Sequence, residues 1–176
     1  DARNWTYLPY GPFASAAEFR GWMDKTCLGE DPMFHTILDA TGTPVGVATY
    51  LRIDPNAGVI EVGHINFSPK LQRTVMSTEA MLLMMSRVFD ELGYRRYEWK
   101  CDALNAPSMA TAKRLGFTYE GTFRQATHYK GRNRDTAWFS ITDKEWPALK
   151  AEFTRWLAPS NFDDKGQQKT RLDTAR

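Results

Sequence analysis

The sequence predicts an α+β domain, α/β in the broad sense, with a mixed, mostly antiparallel sheet and helices on both faces. Three observations predict it. Three strand-like runs separated by turns occupy residues 34–67. An apolar helix at 75–92 lies between two strands, and a further strand pair around a basic turn leads into a last helix. A helix crossing over between neighbouring strands makes them parallel, which turns a meander into a mixed sheet. At 176 residues, 42% of them hydrophobic and six of them Trp, the chain suits one domain with one core. That domain is placed at residues 1–158, followed by a polar C-terminal tail at 159–176.

The elements follow in order from local signals. Ser15 and Glu18 form a capping box before Phe19, Trp22 and Met23, so a helix is expected over 16–26, ended by Gly29 and Pro32. Residues 34–38 and 44–53 read as a hairpin, and 59–67 as a third strand after a Pro-Asn-Ala-Gly turn. Ala80, Met81, Met84, Met85, Val88 and Phe89 mark the broad face of the helix over 75–92, with Gly93 as its cap. Tyr97, Trp99 and Cys101 then alternate with charged residues, the period of a strand with one buried face. Asn105 caps a helix over 106–115. Strands at 117–130 and 136–141 flank a loop at 131–135, and Thr142 with Glu145 opens a last helix to 157. Beyond Pro159 the composition turns polar, which reads as an extended or mobile tail.

A net charge of +2, from 23 basic and 21 acidic residues, gives no field that points to nucleic acid or a membrane as partner. No run approaches the length of a membrane span. Cys27 and Cys101 lie far apart without CxxC spacing, and three scattered histidines supply no metal set; a reduced, cytoplasmic protein without a metal is expected, and a homodimer is compatible with the sequence.

The chemistry concentrates in residues 61–80, where a strand ends, a turn follows and a helix begins. A helix start offers free backbone N–H groups and the positive end of the helix dipole, a natural phosphate cradle. Strand, cradle and helix are followed by a strand, then Asn105-x-x-Ser108 on a helix closed by Leu115-Gly116-Phe117. On these residues, over about 34–146, the chain resembles the GNAT acyltransferases, and within them the branch of the ribosomal-protein N-terminal acetyltransferases RimJ and RimL. The resemblance implies acetyl-CoA as cofactor, with its pyrophosphate held by Gln72, Arg73, Thr74, Val75, Met76, Ser77 and Thr78. Its pantetheine arm would run beside Ile65, Asn66 and Phe67, and Asn105 would also contact the arm. Two departures stand out: Arg73 and Val75 replace the glycines usual in the cradle, and Ala112 stands where many members carry a Tyr acid. The first strand and helix of the family do not fit before Phe34, so either they belong to a longer natural chain, whose beginning is lacking here, or their place is taken differently.

An N-acetyltransferase acting on a primary amine by direct attack in a ternary complex needs alignment first and proton handling second. Glu61 matches the strand glutamate of the family and is the favoured base, acting directly or through a water. His64, three residues on, should face the opposite side unless a bulge re-aims it. The stretch from Glu61 to Ser68-Pro69 is one residue longer than in the family, which is consistent with a bulge. Ser108 is the favoured acid for the leaving thiolate, with Tyr129 and Cys101 as weaker candidates. Aromatics Trp5, Tyr7, Tyr10, Phe13 and Trp22 are either acceptor pocket or core. The acceptor itself, a protein N-terminus or a small-molecule amine, is left open. The alternatives are an acyl-CoA-binding protein of the same fold without transfer and, on Arg124, Lys130, Arg132 and Arg134, an RNA-binding hairpin.

Overall fold

The computed structural model describes residues 2–175, so Asp1 and Arg176, the outer bounds of the expected domain and tail, lie outside it. Six strands form one sheet in the order β1-β2-β3-β4-β6-β5: β1 (Met33–Leu38), β2 (Pro44–Asp54), β3 (Val59–Phe67), β4 (Arg96–Asp102), β5 (Thr118–Tyr129) and β6 (Arg132–Thr142). Only β3 and β4 run parallel, as the crossover helix requires. Their pairing stops at Val62 against Trp99, and from there β4 continues beside β6 while β3 stays with β2. A wedge opens between them. The edge of β3 that faces it, from Gly63 to Phe67, has no strand partner among the described residues.

Helices α2 (Val75–Ser86), α3 (Ala106–Arg114) and α4 (Trp146–Leu157) cover one face of the sheet. Met81, Met85 and Val88 from the α2 region, Ala112 and Leu115, and Leu149 and Phe153 all bury there against Tyr97, Phe139 and Ile141. On the other face lies α1 (Ala16–Thr26), whose Trp22 packs edge-on to Phe34 of β1. Its capping box forms with a variation: Ser15 accepts from the Glu18 amide, but the Glu18 carboxylate accepts from the amide of Ala14 rather than of the cap. Among the described residues no helix is long and apolar enough to cross a membrane.

Three expectations are corrected by tertiary structure. The helix predicted over 75–92 is α-helical only to Ser86, and the chain then widens into a π turn, Arg87–Glu91, before Gly93 at φ 66° ends it. The five-residue loop predicted at 131–135 is a two-residue turn, Lys130 and Gly131, both at positive φ as the tightest hairpin turn requires. Arg132 and Arg134 therefore belong to β6. The tail is not free: after Pro159–Asn161 it doubles back, with Phe162 bridged to Gln168. Asn161 is buried, its amide donating to Trp156 O and Thr170 O while its oxygen accepts from Thr170 N and Oγ1. Leu172 packs on the core and Thr174 bonds the last carbonyls of α3.

Candidate functional site

Two cavities flank the wedge, one of about 910 Å³ below it and one of about 550 Å³ above it. Ile65, Trp99, Asn105 and Ser108 line both, so these four residues mark the place where the cavities meet.

The larger cavity is built around the start of α2. Thr74 caps the helix, its hydroxyl accepting from Ser77 N and donating to Leu71 O. Arg73 takes φ 61°, the left-handed conformation that a glycine adopts without strain. Among the described residues, the amides of Arg73, Val75 and Met76 have no partner. Of the residues expected to hold the cofactor, Ile65, Asn66, Phe67, Gln72, Arg73, Thr74, Val75, Ser77, Thr78 and Asn105 all line this cavity; Met76 does not. Gln72 is partly engaged, donating through Nε2 to Phe67 O. Sequence reasoning missed Arg114, which donates to the buried Thr78 hydroxyl at 3.0 Å and lies over Trp156. It also missed the wall that the returning tail supplies through Phe162 and Gln168.

Of the two cavities, the smaller gathers most of the ionisable side chains. Glu61 is 3% exposed, and both of its oxygens accept from Arg52 Nη1 at 2.7 Å, while Lys100 Nζ lies 2.7 Å from Oε2. The same ammonium reaches Glu98 at 2.7 Å and sits 3.8 Å over the Trp138 ring. Arg96 continues the series to Glu98 and, through two nitrogens, to Glu120. Six charges of alternating sign thus cross the sheet from Arg52 to Glu120. Burial pushes the Glu98 carboxyl up, but Lys100 and Arg96 outweigh it and hold it below its ordinary range.

The expected bulge is present: one residue of β2, Ala48, opposes His64 and Ile65 of β3. His64 takes φ 47° and turns into the same cavity as Glu61. Its Nδ1 lies 3.1 Å from the Tyr10 hydroxyl, and its ring stacks on Tyr10 and packs against Phe34. Burial, with the Arg52 charge, depresses its pKa below 6.5, so the ring is neutral at neutral pH. Tyr10, Phe13, Phe19, Trp22 and Trp5 stack on one another as a cover over this face, and Tyr7 lines the smaller cavity itself.

Ser108 sits in the first turn of α3, where Asn105 accepts from its amide. Trp99 Nε1 donates to its Oγ at 3.0 Å, and the hydroxyl lies against the Cys101 thiol, whose pKa burial raises. Ala112, on the same helix, is wholly buried in the core. Tyr129 donates to Asp102, itself 1% exposed, which also pairs with Arg132. Burial and the Asp102 charge push the Tyr129 hydroxyl up to about 12. On the basic hairpin Arg124 and Lys130 are exposed and Arg132 and Arg134 half-buried; Lys130 donates to Trp5 O and Arg134 Nε to Thr136. Among the described residues, no group of His, Cys, Asp or Glu is placed to hold a metal ion.

A family model described as Acetyltransferase (GNAT) domain matches residues 1–118. The chain is 51% identical to a GCN5-related N-acetyltransferase from Brucella melitensis, whose crystal structure superposes at TM-score 0.95 over 97% of this chain and 78% of that one. It is 44% identical to a probable acetyltransferase of the GNAT family from Chromobacterium violaceum ATCC 12472, at TM-score 0.80 over 84% of this chain and 74% of that one. An uncharacterized N-acetyltransferase, p20 of Bacillus licheniformis, is 26% identical over 144 residues, 80% of either chain.

Proposed function

The chain belongs to the acetyltransferase (GNAT) family, and from that premise we propose that it moves an acetyl group from acetyl-CoA to a primary amine held in the smaller cavity. One observation carries the reading: two cavities of different chemistry meet at Ile65, Trp99, Asn105 and Ser108, so two substrates can touch only there. The larger cavity suits the anionic cofactor, with unpartnered amides at Arg73 and Val75, the dipole of α2 and the guanidinium groups of Arg73 and Arg114. The unpaired edge of β3 gives an extended pantetheine arm a strand to lie beside. Bound there, acetyl-CoA supplies a thioester whose C–S bond breaks as the amine nitrogen bonds to the acetyl carbon.

Within the chain, the site must take a proton from the acceptor ammonium. His64 is the favoured base, since it is neutral at neutral pH and opens onto the acceptor cavity. Glu61, favoured from sequence, already has both oxygens engaged by Arg52 and Lys100; its proposed part is to hold those cations and to pass the proton through a water. Ser108 is proposed as the proton donor to the leaving sulfur. Trp99 occupies a lone pair of its oxygen and leaves its O–H able to donate. A serine acid together with the buried Ala112 supports the RimJ/RimL-like branch, and two free cysteines agree with a cytoplasmic setting.

Calorimetry with acetyl-CoA followed by thiol release over a panel of amines tests the proposal. Micromolar affinity and turnover of at least one amine are expected. Absence of CoA affinity overturns it, and affinity without turnover on any amine makes the chain an acyl-CoA-binding protein.

A further inference from the structure

Five charged residues line the smaller cavity: Arg52, Glu61, Lys100, Asp102 and Arg134. Four of them are neutralised in place, Glu61 by Arg52 and Lys100, and Asp102 by Arg132. Arg134 is different. Its Nε donates to Thr136 Oγ1 at 3.1 Å and its guanidinium lies 6.0 Å from the Tyr129 ring centroid, but among the described residues no carboxylate lies within ion-pair distance. The neighbouring Asp135 is directed elsewhere, accepting from the Gln125 amide.

The register of β4 and β6 explains why Arg134 faces the cavity. Lys100 pairs with Trp138 and Asp102 with Thr136, so Thr136 and Trp138 share the cavity face. Arg134, two residues further along β6, continues the same face. The cavity therefore ends in an uncompensated cation on a rigid strand, beside the aromatic surfaces of Phe123, Tyr129 and Trp138. A polyamine or aminoglycoside, which needs excess negative charge around it, meets the wrong sign here.

We infer that the acceptor is a small amine bearing a carboxylate, with an aromatic or apolar body, and that Arg134 is the group that seats the carboxylate. The inference rests on the acetyl-transfer reading and names the substrate class for that site. A guanidinium presents two parallel N–H donors matched to the two oxygens of a carboxylate, a pairing that an ammonium cannot copy. The carboxylate would complete the one missing anion on this face, while the amine end reaches the junction at Ser108.

The test compares tryptophan and phenylalanine with tryptamine, phenethylamine and spermidine as acceptors, using thiol release from acetyl-CoA. Tryptophanamide serves as a second comparator, because decarboxylation also changes the basicity of the amine. The carboxylates are expected to show kcat/KM roughly 10- to 100-fold above the amines and amide, the range set by a charge-assisted hydrogen-bonded pair. In Arg134→Gln that preference should vanish through a rise in KM for the carboxylates, with an unchanged melting temperature and acetyl-CoA affinity as the check of an intact fold. Preference for tryptamine or spermidine by the unaltered protein, or an equal loss on all acceptors in Arg134→Gln, overturns the inference. If no amine is turned over, the transfer reading fails, and calorimetry of N-acetyltryptophan against its amide on the CoA-loaded protein decides the inference separately. Carboxylate-dependent binding that Arg134→Gln abolishes upholds it; equal binding of acid and amide overturns it.

Discussion

At the scale of single residues, the site depends on groups whose backbone or neighbours hold them in uncommon states. His64 is buried and lies under the field of Arg52, both of which disfavour its protonated form. The acid limb of kcat/KM should therefore fall below pH 6.5, activity being lost as pH drops through the depressed value. Removing the cation in Arg52→Gln should move that limb upward, and His64→Gln should lower kcat/KM by about 10² to 10³ and abolish the limb. A limb unchanged in His64→Gln would place the base elsewhere. Arg73 holds the left-handed φ of 61° at a position where glycine is relaxed. In Arg73→Gly the melting temperature should rise, by about 1 kcal/mol of stability, while acetyl-CoA affinity falls several-fold through loss of a phosphate-side cation. A single variant that gains stability and loses affinity separates strain from function.

At the scale of elements, the parts read correctly from sequence are those set by neighbours a few residues away. The caps at Ser15 and Asn105 and the alternation of Tyr97, Trp99 and Cys101 are local signals; the caps placed α1 and α3 to within two residues, and the alternation marked β4. Asn105 and Ser108 were legible for the same reason, one turn apart on one helix. Arg134 and Lys100 were not, because their surroundings depend on how β4 registers against β6. The returning tail was also illegible. Its polar composition hides a single buried residue, Asn161, whose side chain satisfies four backbone or hydroxyl groups. Asn161→Ala should cost about 2 to 3 kcal/mol by leaving buried partners unmet. Because Phe162 and Gln168 wall the larger cavity, the same variant should weaken acetyl-CoA binding, which thermal unfolding with and without ligand would read.

At the scale of the whole molecule, the charge series from Arg52 to Glu120 links β2, β3, β4 and β5 across one face. Arg96, against a smaller effect of burial, holds the Glu120 carboxyl down to about 2. Glu98 and Asp102 are also depressed: against burial, Glu98 is held down by Lys100 and Arg96, and Asp102 by hydrogen bonds from the Leu104 amide and the Tyr129 hydroxyl together with Arg132. A depressed carboxyl contributes stability that is complete above its unfolded pKa of about 4.3 and lost as pH falls through the folded value. Melting temperature should accordingly decline from about pH 5 toward pH 2, and Glu120→Gln should flatten the lower part of that decline. At neutral pH the same variant should change stability by under about 1 kcal/mol, since Glu120 is well exposed.

The bulge in β3 has a consequence for how this protein can change. Pairing of Thr49 with Gly63 and of Val47 with Asn66 keeps Glu61, Gly63 and Asn66 on one face although the count between them is odd. Deleting one residue between 63 and 66 would reverse the parity of all that follows, sending Asn66 toward the apolar side and Phe67 into the cleft. Point substitutions here alter one side chain, whereas a single-codon insertion or deletion would shift cleft wall and core together. Deleting one residue between 63 and 66 should therefore disrupt the cleft wall and the core packing of Phe67 together, whereas a point substitution at the same positions should leave the register intact.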